Sequence, residues 1–124
     1  KEKYQNVTGK HFSDVSEALQ AVSLAIVLDL SGQNLSTLPD SITQLKNLNE
    51  IDLSDNNFTT FPKELLTLES IMSINLSNNK ITTLPVEILT NKTLQRVDVS
   101  KNPIKERLTP DNKDITNIPP TIIY

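Results

Sequence analysis

The sequence predicts an α/β solenoid, a stack of short units with parallel strands along one face and short helical or 3₁₀ turns along the other. Three observations carry this prediction. A pattern of apolar residues and asparagine recurs at a constant step of 23 residues, and a fixed period of roughly 20 to 50 residues is the signature of stacked units. One half of each unit alternates apolar and polar side chains, the period of a strand buried on one side. The other half opens on an apolar residue followed by proline, which fixes φ and suits the first position of a helical turn.

The clearest copies lie between Leu48 and Pro85. Leu48, Ile51, Leu53, Asn56, Phe58, Phe61 and Pro62 fall on Ile71, Ile74, Leu76, Asn79, Ile81, Leu84 and Pro85. The same step backward reaches Ala25, Leu28, Leu30, Gln33, Leu35, Leu38 and Pro39, and forward Leu94, Val97, Val99, Asn102 and Ile104. Four copies in register resemble the leucine-rich repeat family, whose units carry L-x-x-L-x-L-x-x-N/C-x-L. The resemblance spans residues 23–104. It implies a right-handed arc with the strands on the concave face, the turns on the convex face and the asparagines stacked in a ladder inside.

Lys1 to Lys10 are polar and read as a frayed terminus. Position 1 is Lys, so the chain reads as processed or trimmed. Asp14 and Glu17 make a capping-box-like start, and Val15, Ala18, Leu19 and Val22 share one helical face. A helix from Asp14 to about Val22 is expected to cover the first unit, whose core has no neighbour on that side. An amphipathic helix that binds a partner is the alternative. Residues 1–22 are thus expected to form the N-terminal tail and capping helix, 23–104 four repeats, and 105–124 a C-terminal cap.

In each repeat the apolar pairs Leu28 and Leu30, Ile51 and Leu53, Ile74 and Leu76, and Val97 and Val99 predict a short strand. Ile42, Leu45 and Leu48, then Leu65, Leu68 and Ile71, follow at three-residue spacing, as a short helical turn requires. At the bend between the halves, Asn56, Asn79 and Asn102 supply both a donor and an acceptor to backbone groups that leave the sheet. Gln33 stands in the first such position. In the fourth repeat Arg107 and Leu108 replace the apolar residue and proline, and Asn91 replaces the apolar residue held by Leu45 and Leu68. The regular stack is expected to end there, with Ile118 to Tyr124 as a degenerate fifth strand over the last core layer.

Aromatics make up only 4% of the chain, so aliphatic ladders must fill the core. The net charge of -3 gives no basic field for nucleic acid, which is not expected as a partner. No cysteine occurs, which excludes disulfides, thiolate chemistry and Cys-type zinc sites. That favours a reducing, cytoplasmic compartment and leaves bacterial export open. The longest apolar run, Ala21 to Leu28, is interrupted by Ser23 and is too short to span a bilayer.

His11 is the only histidine, and no nucleophile elbow, phosphate-binding glycine loop or H-E-x-x-H motif is present. No enzyme activity and no cofactor are expected. Asp29, Asp52, Asn75 and Asp98 form a column on the exposed strand face, followed by Ser31, Ser54, Ser77 and Ser100. Stacked carboxylates can bind calcium, but L-D-L-S is common in the repeat class that the chain resembles, and no metal site is expected. The sequons at Asn6, Asn34, Asn57, Asn75 and Asn91 follow from a repeat rich in Asn, Ser and Thr.

Three columns vary between repeats: Ile26, Asn49, Met72 and Gln95; Val27, Glu50, Ser73 and Arg96; Gly32, Asp55, Asn78 and Lys101. Unlike side chains on a rigid frame suit a protein-binding surface, and the resemblance implies that partners dock on the concave face. The expected contact residues are Ile26, Asn49, Glu50, Asp52, Asp55, Met72, Asn75, Asn78, Gln95, Arg96, Asp98 and Lys101. The expected function is a noncatalytic module, monomeric, that binds a protein partner. The alternative is a structural role in which the sheet edge or the solenoid ends mediate self-assembly.

Overall fold

A computed structural model of the chain describes residues 11–20, 26–110 and 118–124. Among the described residues six parallel strands form one sheet in chain order: β1 (His11–Phe12), β2 (Val27–Asp29), β3 (Glu50–Asp52), β4 (Ser73–Asn75), β5 (Arg96–Asp98) and β6 (Thr121–Ile123). The 23-residue step sets the register of β2 to β5, with Leu28 paired to Ile51, Ile51 to Ile74, and Ile74 to Val97. Each of these residues points into the core and is buried, as are Leu30, Leu53, Leu76 and Val99 two positions on. Phe58 and Phe61 fill the second unit, and the rest of the core is aliphatic.

The second half of each unit is a single helical turn. Asp40–Gln44 and Lys63–Thr67 are 3₁₀ turns, while Glu87–Thr90 is a short α-helix, α2. Ile42, Leu65 and Ile88 are the fully buried residues of these turns, and Leu45, Leu48, Leu68 and Ile71 close the core behind them. Proline sits one or two positions earlier than the sequence suggests. Pro39 and Pro62 are the capping residues before the 3₁₀ turns, and Pro85 precedes the cap Val86. Their carbonyls receive the first turn N–H groups, from Ile42, Leu65 and Ile88.

At the N-terminal end, α1 (Val15–Gln20) starts where Asp14 Oδ1 accepts the Glu17 N–H at 3.0 Å. Ala18 is fully buried, and Val15 and Leu19 pack on the core. The expected continuation to Val22 lies outside the described residues, as do Lys1 to Lys10 and Ala25. An unexpected element precedes the helix. His11–Phe12 pairs with Val27–Leu28, so β1 covers the edge of β2 where a purely helical cap was expected.

At the other end, the expected strand from Ile118 is shorter. Ile118 is 85% exposed, and pairing begins only at Thr121, which lies opposite Arg96. Pro119 and Pro120 have no N–H to give to a ladder, which delays the strand. Ile122 and Tyr124 pack against the last core layer, and the Tyr124 hydroxyl accepts the Leu108 N–H at 2.8 Å.

The asparagine ladder locks the units together. Asn56 Oδ1 accepts the N–H groups of Gln33 and Leu35, and its Nδ2 donates to the carbonyls of Leu30 and Leu53. Asn79 and Asn102 repeat this one and two units later, with Phe58 and Ile81 as N–H donors. Gln33, in the first position, donates from Nε2 to the Ser13 carbonyl and ties the N-terminal cap to the stack. Asn91 serves as a second kind of rung, on the convex side. It donates to the Leu66 carbonyl and accepts the N–H groups of Thr93 and Leu94, so the polar replacement closes its turn and holds it to the unit before.

Candidate functional site

The concave face is built from three positions per unit with different physical roles. Ile26, Asn49 and Met72 lie just before their strands, and each carbonyl accepts two backbone N–H groups from the next unit. This double acceptance holds the column rigid. Ile26, Asn49 and Met72 are half-buried and Gln95 is exposed. In the adjoining column Glu50 and Arg96 are exposed, Ser73 is half-buried, and Val27 is buried, with its strand covered by β1.

The column Asp29, Asp52, Asn75 and Asp98 departs from expectation. The alternation predicts exposure, yet Asp29 and Asp52 are 1% and 6% exposed, and Asn75 and Asp98 are half-buried. Each Oδ1 turns along its own chain. Asp52 Oδ1 accepts the Ser54 N–H at 3.0 Å and its hydroxyl at 2.6 Å, and Asp29 with Ser31 and Asp98 with Ser100 do the same. Asn75 accepts the Ser77 N–H at 2.9 Å. This is an Asx turn, in which a short acceptor stabilises the bend that ends the strand. Stacking of the strands roughly 4.8 Å apart shelters the column from solvent. Among the described residues, no group of three or more His, Cys, Asp or Glu side chains is placed to hold a metal ion.

The third variable column is expected on the strand face, and its backbone places it elsewhere. Gly32, Asp55, Asn78 and Lys101 all have φ between 56° and 64°, so they are left-handed turn residues on the rim beyond the strands. Gly, Asp and Asn are the types that adopt this conformation most readily. That composition was the available sign of a turn, and Lys101 breaks it. All four are exposed, and Asn78 Nδ2 donates to Asp55 Oδ1 at 2.7 Å.

Charge is unevenly placed on this face and its rim. Glu50 and Asp55 are exposed in the second unit, and Arg96 and Lys101 in the fourth. Arg96 also reaches Asp98 on its own strand at 3.6 Å. On the convex side Lys63 and Glu87 form an ion pair at 3.2 Å between neighbouring turns. The Glu87 carboxyl is held below its ordinary value by a backbone hydrogen bond in its own turn, then by Lys63.

No helix among the described residues is long and apolar enough to cross a membrane. The family model of the leucine rich repeat matches residues 27–81 and 46–104. No curated protein matches the chain. Among solved structures, a leucine-rich repeat protein of Leptospira interrogans is 33% identical, with a TM-score of 0.53 over 75% of this chain. The match covers 30% of that protein's chain. Members of this family are in general noncatalytic repeat modules that engage other proteins. With the repeat model matched across residues 27–104 and the parallel strands in 23-residue register, this chain belongs to the leucine-rich repeat family.

Proposed function

We propose that the chain is a noncatalytic module that binds a protein partner through its concave strand face. The observation that carries this reading is the contrast between frame and display. The backbone of Asn49, Met72 and Gln95 is pinned in register, while the side chains there and at Glu50, Ser73 and Arg96 differ from unit to unit. A rigid surface loses little entropy on binding, and unlike side chains give it specificity. Ile26, Asn49, Glu50, Met72, Gln95 and Arg96 are the contacts in this reading. Asp52, Asn75 and Asp98 hold the strand ends, and Asp55, Asn78 and Lys101 border the face. Residues 1–22 and 105–124 serve as caps to the repeats between them.

A partner matched to this face carries a basic patch opposite Glu50 and an acidic one opposite Arg96, with electrostatics setting orientation and on-rate more than affinity. The test is affinity capture of a partner, followed by binding measurements on Glu50→Lys and Arg96→Glu separately. Each reversal is expected to weaken binding. If neither does, while changes at the convex residues Lys46, Lys63 or Lys92 do, the concave reading fails. Sedimentation of the chain alone at several concentrations tests the self-assembly alternative, which requires a concentration-dependent oligomer.

A further inference from the structure

Lys101 occupies a left-handed turn position with φ of 58°. The other three repeats place Gly32, Asp55 and Asn78 there, residue types that enter this region at little cost, whereas a lysine is strained by its Cβ. A strained residue at an exposed position is a candidate for a role other than stability. Lys101 is exposed, and among the described residues no carboxylate lies within ion-pair distance of its ammonium group.

Two further lysines share its rim. The Asn78 N–H donates to the Ser100 carbonyl, which seats the Lys101 turn on the turn before it. Lys80 follows two residues after Asn78, and the Lys105 N–H donates to the carbonyl of Thr82, two residues after Lys80. Lys80 and Lys105 are exposed and, among the described residues, equally without a carboxylate within ion-pair distance. Arg107 adds a positive charge held 4.7 Å over the Tyr124 ring, and Glu106 is the one acid within the run from Lys101 to Arg107. At the positions equivalent to Lys80 and Lys105 the first two repeats carry Asn34, Ser36, Asn57 and Thr59, all uncharged, and at the position equivalent to Lys101 they carry Gly32 and Asp55. On this rim the positive charge is therefore local to the third and fourth units, in a chain whose net charge is -3.

We propose that the rim formed by Lys80, Lys101 and Lys105 is a docking site for an acidic protein segment, separate from the concave strand face. Three flexible ammonium groups suit a run of carboxylates on an extended chain. The chain as a whole is acidic, with a net charge of -3, which disfavours nucleic acid. Screening over a Debye length of roughly 8 Å at physiological salt limits the pull of charges elsewhere on the molecule, so the rim acts locally.

The test uses the full chain and a fluorescein-labelled octaglutamate peptide, read by anisotropy at low and at physiological ionic strength. Binding is expected, and it should weaken as salt rises. Three exposed pairs together contribute roughly ten-fold, so the combined Lys80→Gln, Lys101→Gln, Lys105→Gln variant should lose about that factor. Lys101→Asn separates strain from binding. It should raise the thermal midpoint by roughly 2 to 6 °C by relieving the backbone, while weakening the peptide about two-fold. No binding by the parent, undiminished binding by the triple variant, or equal affinity for a polyphosphate of matched charge would each overturn the proposal. An oligomer that the triple variant abolishes would also overturn it, by assigning the rim to a second copy. A midpoint unchanged in Lys101→Asn, or raised with no loss of affinity, would remove Lys101 from the site.

Discussion

Replacing Asn79 with alanine tests the stacked architecture at a single side chain. Asn79 is 6% exposed, and its amide makes four hydrogen bonds, from the Phe58 N–H and to the carbonyls of Leu53, Leu76 and Ser77. The losses are unequal. The Leu53 carbonyl keeps Asn56, the Leu76 carbonyl keeps Asn102, and the Ser77 carbonyl keeps the Asp55 N–H. Only the Phe58 N–H, on a residue 1% exposed, loses its sole partner. One stranded buried donor costs on the order of 1 to 3 kcal/mol, and that is the expected loss for Asn79→Ala. Asn79→Asp keeps the acceptor for Phe58 but turns a buried anion toward three carbonyls, so it should destabilise at least as much at neutral pH. The chain has no Trp, so urea unfolding is followed by far-ultraviolet circular dichroism. An Asn79→Ala variant within about 0.5 kcal/mol of the parent, the ordinary range for surface changes, would refute the ladder as the link between units.

Leu76→Ala, at a fully buried position between two units, should lose about 2 to 5 kcal/mol by the same assay. Asp52→Asn should stay within about 0.5 kcal/mol of the parent, because Asn75 already fills the equivalent position and accepts the N–H of its serine there. Asp52→Ala should lose about 1 kcal/mol with the Ser54 contacts. An Asp52→Asn variant as unstable as Asp52→Ala would show that the charge, not the turn, matters there. The Glu87 carboxyl, followed by NMR, should titrate below an ordinary glutamate, and Lys63→Met should move its midpoint upward. Its folded value is lowered, so any stabilisation is present above the unfolded value and is lost as pH falls through the folded one. The pair is exposed, so that contribution is small.

Register was the most legible property of the sequence, because each unit states it again. Ile51, Ile74 and Val97 stand 23 residues apart and pair as that spacing requires. Alternation told which side of the strand Asp52 takes, but not how deep it lies. Its burial depends on the neighbouring strands and on the turn to Ser54, which no single-strand pattern contains. The two-residue strand at His11 and Phe12 is too short to show any period, and its pairing is purely tertiary. Ile118 had nearly the right register, and the two prolines after it decided against pairing. The turn column was readable from Gly32, Asp55 and Asn78. Only the backbone at Lys101 showed that a residue poorly suited to the conformation had been placed in it.

The concave-face assignment has one direct reporter. Met72 is the only methionine of the sequence, and it lies half-buried at the middle of that face, between Asn49 and Gln95. A carbon-13 methyl label on methionine therefore gives one signal from one place. Saturation with a captured partner should shift or broaden that signal, and competition by excess unlabelled chain should restore it. A signal unmoved at saturation would contradict binding through the concave face.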